Sequence, residues 1–332
     1  MRPFAWLPFT LLVGCSSPYQ FSNEIGSFST GVDNVASAYT AGYSSLFNDR
    51  LTYRTLIFND TAAKLKLAIS CSPAVPSSEL PCEFYPQGAP QPSPSDPKLE
   101  SDRRGILDIL NVLTNYAHAL QAVTNAADRA AFDSAASRLN ASVTALLSKA
   151  PNPAVAPAFS AGFNIFAWAL GQALDQQRFD ILKQAVNLAN GPLQWDDHKG
   201  LVCPERSVCP VRSVAKTLGG QLDAIWEARK LVLYDTVNAL IKPLGPGYKN
   251  YAVRLGAANQ TKAVLVQLEQ AQPSQVTDAL IKAHNALRDG VNDPARNFSD
   301  FASAVDQFTG LAEALKNDLA TPAKAPSSNP GS

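Results

Sequence analysis

Gly31-Val32-Asp33-Asn34-Val35-Ala36-Ser37-Ala38-Tyr39-Thr40-Ala41-Gly42-Tyr43-Ser44-Ser45-Leu46-Phe47 places its large apolar side chains at steps of three and four residues. The stripe extends through Leu51, Arg54, Ile57, Phe58, Ala62, Leu65 and Ile69. That spacing keeps one face of an α-helix apolar. Gly31 and Gly42 weaken the stripe locally, but no proline interrupts it before Pro73. It predicts one helix from about 25–30 to about 70, roughly 60 Å long at 1.5 Å per residue. A helix of that length predicts an all-α, elongated antiparallel bundle with the rest of the chain packed along it.

The remaining sequence continues in the same manner. Residues 71–98 carry Pro73, Pro76, Pro81, Pro86, Pro90, Pro92, Pro94 and Pro97, which forbid regular structure and predict a long loop. A second helical segment spans about 99–150, with Asn125 and Asp128 between its two apolar stripes marking a kink or a restart. A third is expected over about 155–190. Its Phe163-Asn164-Ile165-Phe166-Ala167-Trp168-Ala169-Leu170 is apolar nearly all round and reads as the most buried stretch. Gly191-Pro192 ends it, and residues 191–210 form a second long loop. Helices at about 211–242, 248–271, 274–289 and 296–319 follow. Ser274 with Asp278, and Asn297 with Ser299, offer oxygen acceptors near the starts of the last two. Thr321–Ser332, with three prolines, reads as a disordered tail. No strand alternation and no internal repeat stand out.

The N-terminus has a different character. Arg2 precedes the apolar run Pro3 to Gly14, the layout of a secretory signal peptide. The run is too short and too proline-broken to span a bilayer, which takes about 20 residues. It closes on Leu12-Val13-Gly14-Cys15, which resembles the lipobox of bacterial lipoproteins. The resemblance covers the first fifteen residues. It implies a cut before Cys15, diacylation of that cysteine, and a lipid anchor in the bacterial envelope. Ser16, in place of an aspartate, implies the outer membrane, with the body facing the periplasm or the cell surface. On that reading residues 1–14 are removed, 15–28 are a tether, 29–320 are one helical domain, and 321–332 are the tail. Lipidation of Cys15 also leaves an even set, Cys71, Cys82, Cys203 and Cys209, for two disulfides in an oxidising compartment. Three pairings are possible, and local pairing, Cys71–Cys82 with Cys203–Cys209, needs least from the fold.

After the cut, 27 basic and 28 acidic residues remain. Near-neutral charge supplies no field for nucleic acid, which is not expected as a partner. With the anchor at one end and consecutive helices antiparallel, both cysteine-bearing loops are expected at one membrane-distal tip.

Chemistry-bearing motifs are few. The histidines are His118, His198 and His284. Asp196-Asp197-His198 offers metal-type ligands, but three or four must converge, and solvation of an acidic turn is the more economical reading. His118 and His284 stand alone on helices and read as structural or solvated. Cysteine spacing is unlike that of zinc sites, and no phosphate loop or nucleophile elbow occurs. The chain therefore reads as a non-enzymatic helical scaffold or protein-interaction module without a cofactor, anchored to the membrane and serving an envelope partner. The alternative is a small-ligand carrier using apolar space around Phe163, Phe166, Trp168 and Trp226, and the least favoured is a metal-dependent enzyme at His198.

Overall fold

The computed structural model describes residues 19–61, 65–67, 84–86, 97–149, 174–192, 194–196, 200–202, 209–241 and 251–321. Among them the fold is all-α. Its helices are α1 (Tyr19–Thr61), α2 (Pro97–Thr124), α3 (Arg129–Ser148), α4 (Leu174–Asn190), α5 (Pro210–Ile241), α6 (Tyr251–Gln270), α7 (Pro273–Asn292) and α8 (Pro294–Ala320). Two small antiparallel hairpins, not expected from the sequence, interrupt the helices. β1 (Leu65–Leu67) pairs with β2 (Phe84–Pro86), and β3 (Gln194–Asp196) pairs with β4 (Gly200–Val202). Each strand is only three residues long, below the reach of an alternation signal.

α1 lies at the centre, packed by α2, α5 and α8. It is 43 residues, about 64 Å. It begins inside the expected tether, because Phe21, Ile25 and Phe28 are fully buried and extend the apolar face backwards. Phe21 meets Phe298 edge to face at 5.3 Å and Phe301 at 6.0 Å, and Phe28 meets Phe308 at 5.7 Å. Each such ring withdraws apolar surface worth about 2–3 kcal/mol from water. Towards its other end Leu51, expected inside, is exposed.

Contacts fix the directions. Ser22 donates to Asn125, while Arg103 lies over the Tyr43 ring, so α2 runs antiparallel to α1. α8 runs parallel to α1, Phe21 facing Phe301 and Gly42 facing Leu319. α5 is parallel too: a Cβ on Gly42 would stand 3.2 Å from Ile225, and Asp49 pairs with Arg229. α6 returns along α5, since Arg254 donates to the Ala239 and Leu240 carbonyls and Trp226 to that of Leu268. α7 then continues in the same direction, from Thr277 beside Gly219 to Gly290 beside Phe21. The expected antiparallel alternation thus fails at the joint Ala271–Gln272, where Pro273 restarts the helix almost in line.

Helix starts follow proline more than side-chain caps. Neither Gln272 nor Asp293 makes a side-chain cap bond, and Pro273 and Pro294 occupy the first helical position. The acceptors anticipated at Ser274 and Asn297 lie inside the helices instead. Asp223 of α5 reaches the Ser274 N–H. Burial and nearby Glu227 hold its carboxyl above the usual range against that hydrogen bond. The restart expected between the 99–150 stripes is a true break, where Asp128 caps α3 by accepting from the Ala131 N–H at 2.8 Å.

The two cysteine-bearing segments do not leave the helices at one end. The 62–96 segment follows Thr61. α4, however, ends where Asn190 donates to the His284 carbonyl, and His284 stands 6.0 Å from Phe28. α5 starts about 22 Å back from Ile225, at the same height. From Phe28 to Thr61, α1 runs on for about 50 Å. The alternation that placed both loops together assumed helices of equal length, and α4 is only 17 residues. Cys209, 1% exposed, is disulfide-bonded. Cys71, Cys82 and Cys203 lie outside the described residues, as do Cys15, Phe163, Phe166, Trp168, Asp197, His198 and the 322–332 tail.

Candidate functional site

A groove of about 480 Å³ runs over the seam between α2 and α3. Antiparallel packing of the two helices leaves small side chains opposed along the seam, so Val112, Ala119, Ala141 and Ala145 form a shallow apolar floor. Asn115, His118 and Arg138 are its polar edge, with Ser142 beside them. The Ser142 hydroxyl donates back to the Arg138 carbonyl at 2.9 Å and is satisfied within its own helix.

His118 reaches Asp33 of α1, its Nε2 standing 2.9 Å from Oδ2, with both groups about half exposed. The carboxylate fixes the ring orientation at the groove edge. Arg138 differs from its counterparts. Arg129 pairs with Asp133, Arg178 with Asp175, Arg229 with Asp49 and Arg288 with Asp289; Arg103 covers Tyr43 and Arg254 caps α5. Arg138 has neither an acidic partner nor a side-chain hydrogen bond among the described residues. Its neighbours one helical turn away, Ser134, Ala135, Ala141 and Ser142, include no carboxylate.

The other isolated histidine is a core group. His284 Nε2 lies 2.7 Å from the Tyr116 hydroxyl, both side chains being fully buried, while His284 Nδ1 has no partner among the described residues. Burial, reinforced by Arg288, lowers the imidazole to about 3, so the ring is neutral at ordinary pH. Burial raises the Tyr116 hydroxyl well above its ordinary value. This pair joins α2 to α7 through a neutral hydrogen bond.

A second surface lies where α1, α5 and α6 end together. A small core of Leu56, Leu240, Ala257 and Ala258 is separate from the main one. Leu231, Tyr234 and Ile241 share the outward face of α5 and are exposed, with Val253 exposed on the adjacent α6.

Among the residues anticipated from sequence, Trp226 is half-buried. Its indole N–H donates to the Leu268 carbonyl at 2.6 Å, and Lys230 sits 3.3 Å above its ring. It secures the end of α6. Asp196 ends β3. Among the described residues no group of three or more histidine, cysteine or acidic side chains stands close enough to hold a metal ion, and no helix is long and apolar enough to cross a membrane. The groove is not apparent in the sequence. Its one available signal was an arginine without a carboxylate at helical spacing, beside a run of alanines.

The geometry therefore defines an all-α protein with an open groove and an exposed apolar helix end. No family model matches the chain, and neither a curated protein nor a solved structure does.

Proposed function

We infer that the chain is a non-enzymatic lipoprotein of the bacterial envelope, held by acyl chains on Cys15 and presenting its helical body to an envelope partner. The observation that carries this reading is the start of α1. Tyr19 is already helical and Phe21 is fully buried, so only three residues separate Cys15 from the folded body. An anchor there acts on a firm column, not through a slack tether. The outward face of α5, with Leu231, Tyr234 and Ile241, then stands at the membrane-distal end of α1 and offers the contact surface. Local disulfides belong to the same reading: β1–β2 pairing sets Leu67 opposite Phe84, closing the base of the segment that carries Cys71 and Cys82.

The test is intact mass of the protein from the membrane fraction, with Cys15→Ala beside it. Loss of residues 1–14 with added acyl mass, abolished in the variant, is the expected result. An unacylated chain in the soluble fraction overturns the anchor. For the contact surface, Leu231→Asp with Tyr234→Ser is expected to fold normally yet fail to restore the envelope defect of a deletion strain. Full restoration removes α5 from the proposal.

A further inference from the structure

The geometry points to the α2–α3 groove as a binding site for a small oxyanion, carboxylate or phosphate, carried on a short apolar stem. Three independent features converge there. The cavity of about 480 Å³ falls in the size range of small-molecule sites, and its floor of Val112 and three alanines suits an alkyl or similar stem. Arg138 at its edge is a permanent cation with five N–H donors and no partner among the described residues, whereas the other arginine side chains described are engaged. Asn115 spends one amide hydrogen on Asn111 at 3.2 Å and keeps the second, giving a neutral donor on the facing helix.

His118 completes the edge. Asp33 occupies its Nε2 side, so the ring is held as a wall and does not swing over the groove. The nearby acid Asp108 is taken up by Lys149 and makes no pair with Arg138. A planar oxyanion can accept two parallel bonds from the guanidinium while its stem displaces water from the alanine floor. A neutral ligand of the same shape gains only the second of these. This assignment does not depend on the lipid anchor or on a protein partner.

The experiment uses the full chain, isotope-labelled, titrated separately with hexanoate, hexyl phosphate and hexan-1-ol. The readout is the set of amide resonances of Ala119, Ala141 and Ala145, with Gly256 as a remote control. The expected result is saturable movement of the groove resonances with one or both anions, at a Kd of about 1 mM or tighter. Hexan-1-ol should move them far less, with affinity at least about tenfold weaker, and Arg138→Gln should weaken anion binding about tenfold or more. Which anion binds more tightly tells carboxylate from phosphate. Arg138 is exposed on α3, so the variant folds, and Arg138→Lys should recover part of the affinity. Three outcomes overturn the assignment: no saturable movement with either anion, an equal response to the alcohol, or anion binding undiminished in Arg138→Gln.

Discussion

The two ends of α1 are built by different means. Around Phe21 and Phe28 the helix is enclosed by aromatic rings from α4 and α8, and the main core continues through Tyr116 and His284. Beyond Asp49 its Leu56 joins Leu240 and two alanines of α6 in a small separate core, while leucine and tyrosine side chains of α5 face outward. One helix thus passes from a closed interior to an open end. Buried packing is concentrated in the first region, and exposed apolar surface in the second.

A buried ion pair marks the boundary between them. Asp49 and Arg229 are 1% and 0% exposed and 2.8 Å apart, and the guanidinium also donates to the Leu319 and Thr321 carbonyls at the end of α8. Asp49→Ala leaves that cation buried beside carbonyls alone, and a loss of about 3–5 kcal/mol is expected from urea denaturation. If the loss falls under about 1 kcal/mol, water reaches the boundary and the division into closed and open halves is wrong.

A pH series probes the closed half. His284 is lowered to about 3 in the folded chain by burial and by Arg288, against an ordinary value of 6.5. Above pH 6.5 the ring is neutral in both states and contributes no pH dependence. As the pH falls below that value the unfolded chain takes up a proton and the folded chain does not. Stability should therefore decline by about 1.4 kcal/mol per pH unit towards pH 3. The slope should be absent in His284→Gln; a variant retaining it would assign the dependence to other groups.

Two glycines give the smallest effects and the sharpest contrast. A Cβ on Gly31 would stand 2.5 Å from the Phe308 ring, whereas one on Gly256 meets nothing within 4 Å among the described residues. Gly31→Ala should cost about 2 kcal/mol by overpacking. Gly256→Ala, in an open helix, should gain about 0.5–1 kcal/mol through helix propensity. Thermal unfolding of the two variants should move in opposite directions, and a common sign would erase the contrast.

Most helices were legible because three- and four-residue spacing records burial directly. The stripes through Leu110, Leu113 and Leu120, or through Val214, Leu218 and Leu222, are buried as spaced. The start of α1 was less so, since polar Ser22, Asn23 and Glu24 sit among Phe21, Ile25 and Phe28 and blur the period. The in-line α6–α7 joint depends on how Pro273 seats on α5 and leaves no mark in hydrophobic spacing. The groove was hidden for a related reason: alanines that floor it look the same in sequence as alanines that fill a core. His284 shows the limit for single residues. Its burial comes from Phe28, Tyr116 and Asn190, each far away in sequence.

The pairing of α1 with α8 carries a consequence for how the molecule comes into being. Thr309 donates to the Ser27 carbonyl and Lys316 to Asn34, each contact spanning 282 residues of chain. A ribosome releases α1 long before α8, so Phe21 and Phe28 must wait in water until Phe301 and Phe308 arrive. Such long-range closure is slow. Until it happens the nascent chain carries a wet aromatic stripe, the kind of surface that aggregates or recruits a chaperone. The last helix is therefore the latch of the folding reaction, and a chain truncated before Pro294 would be unfinished in its middle as well as at its end.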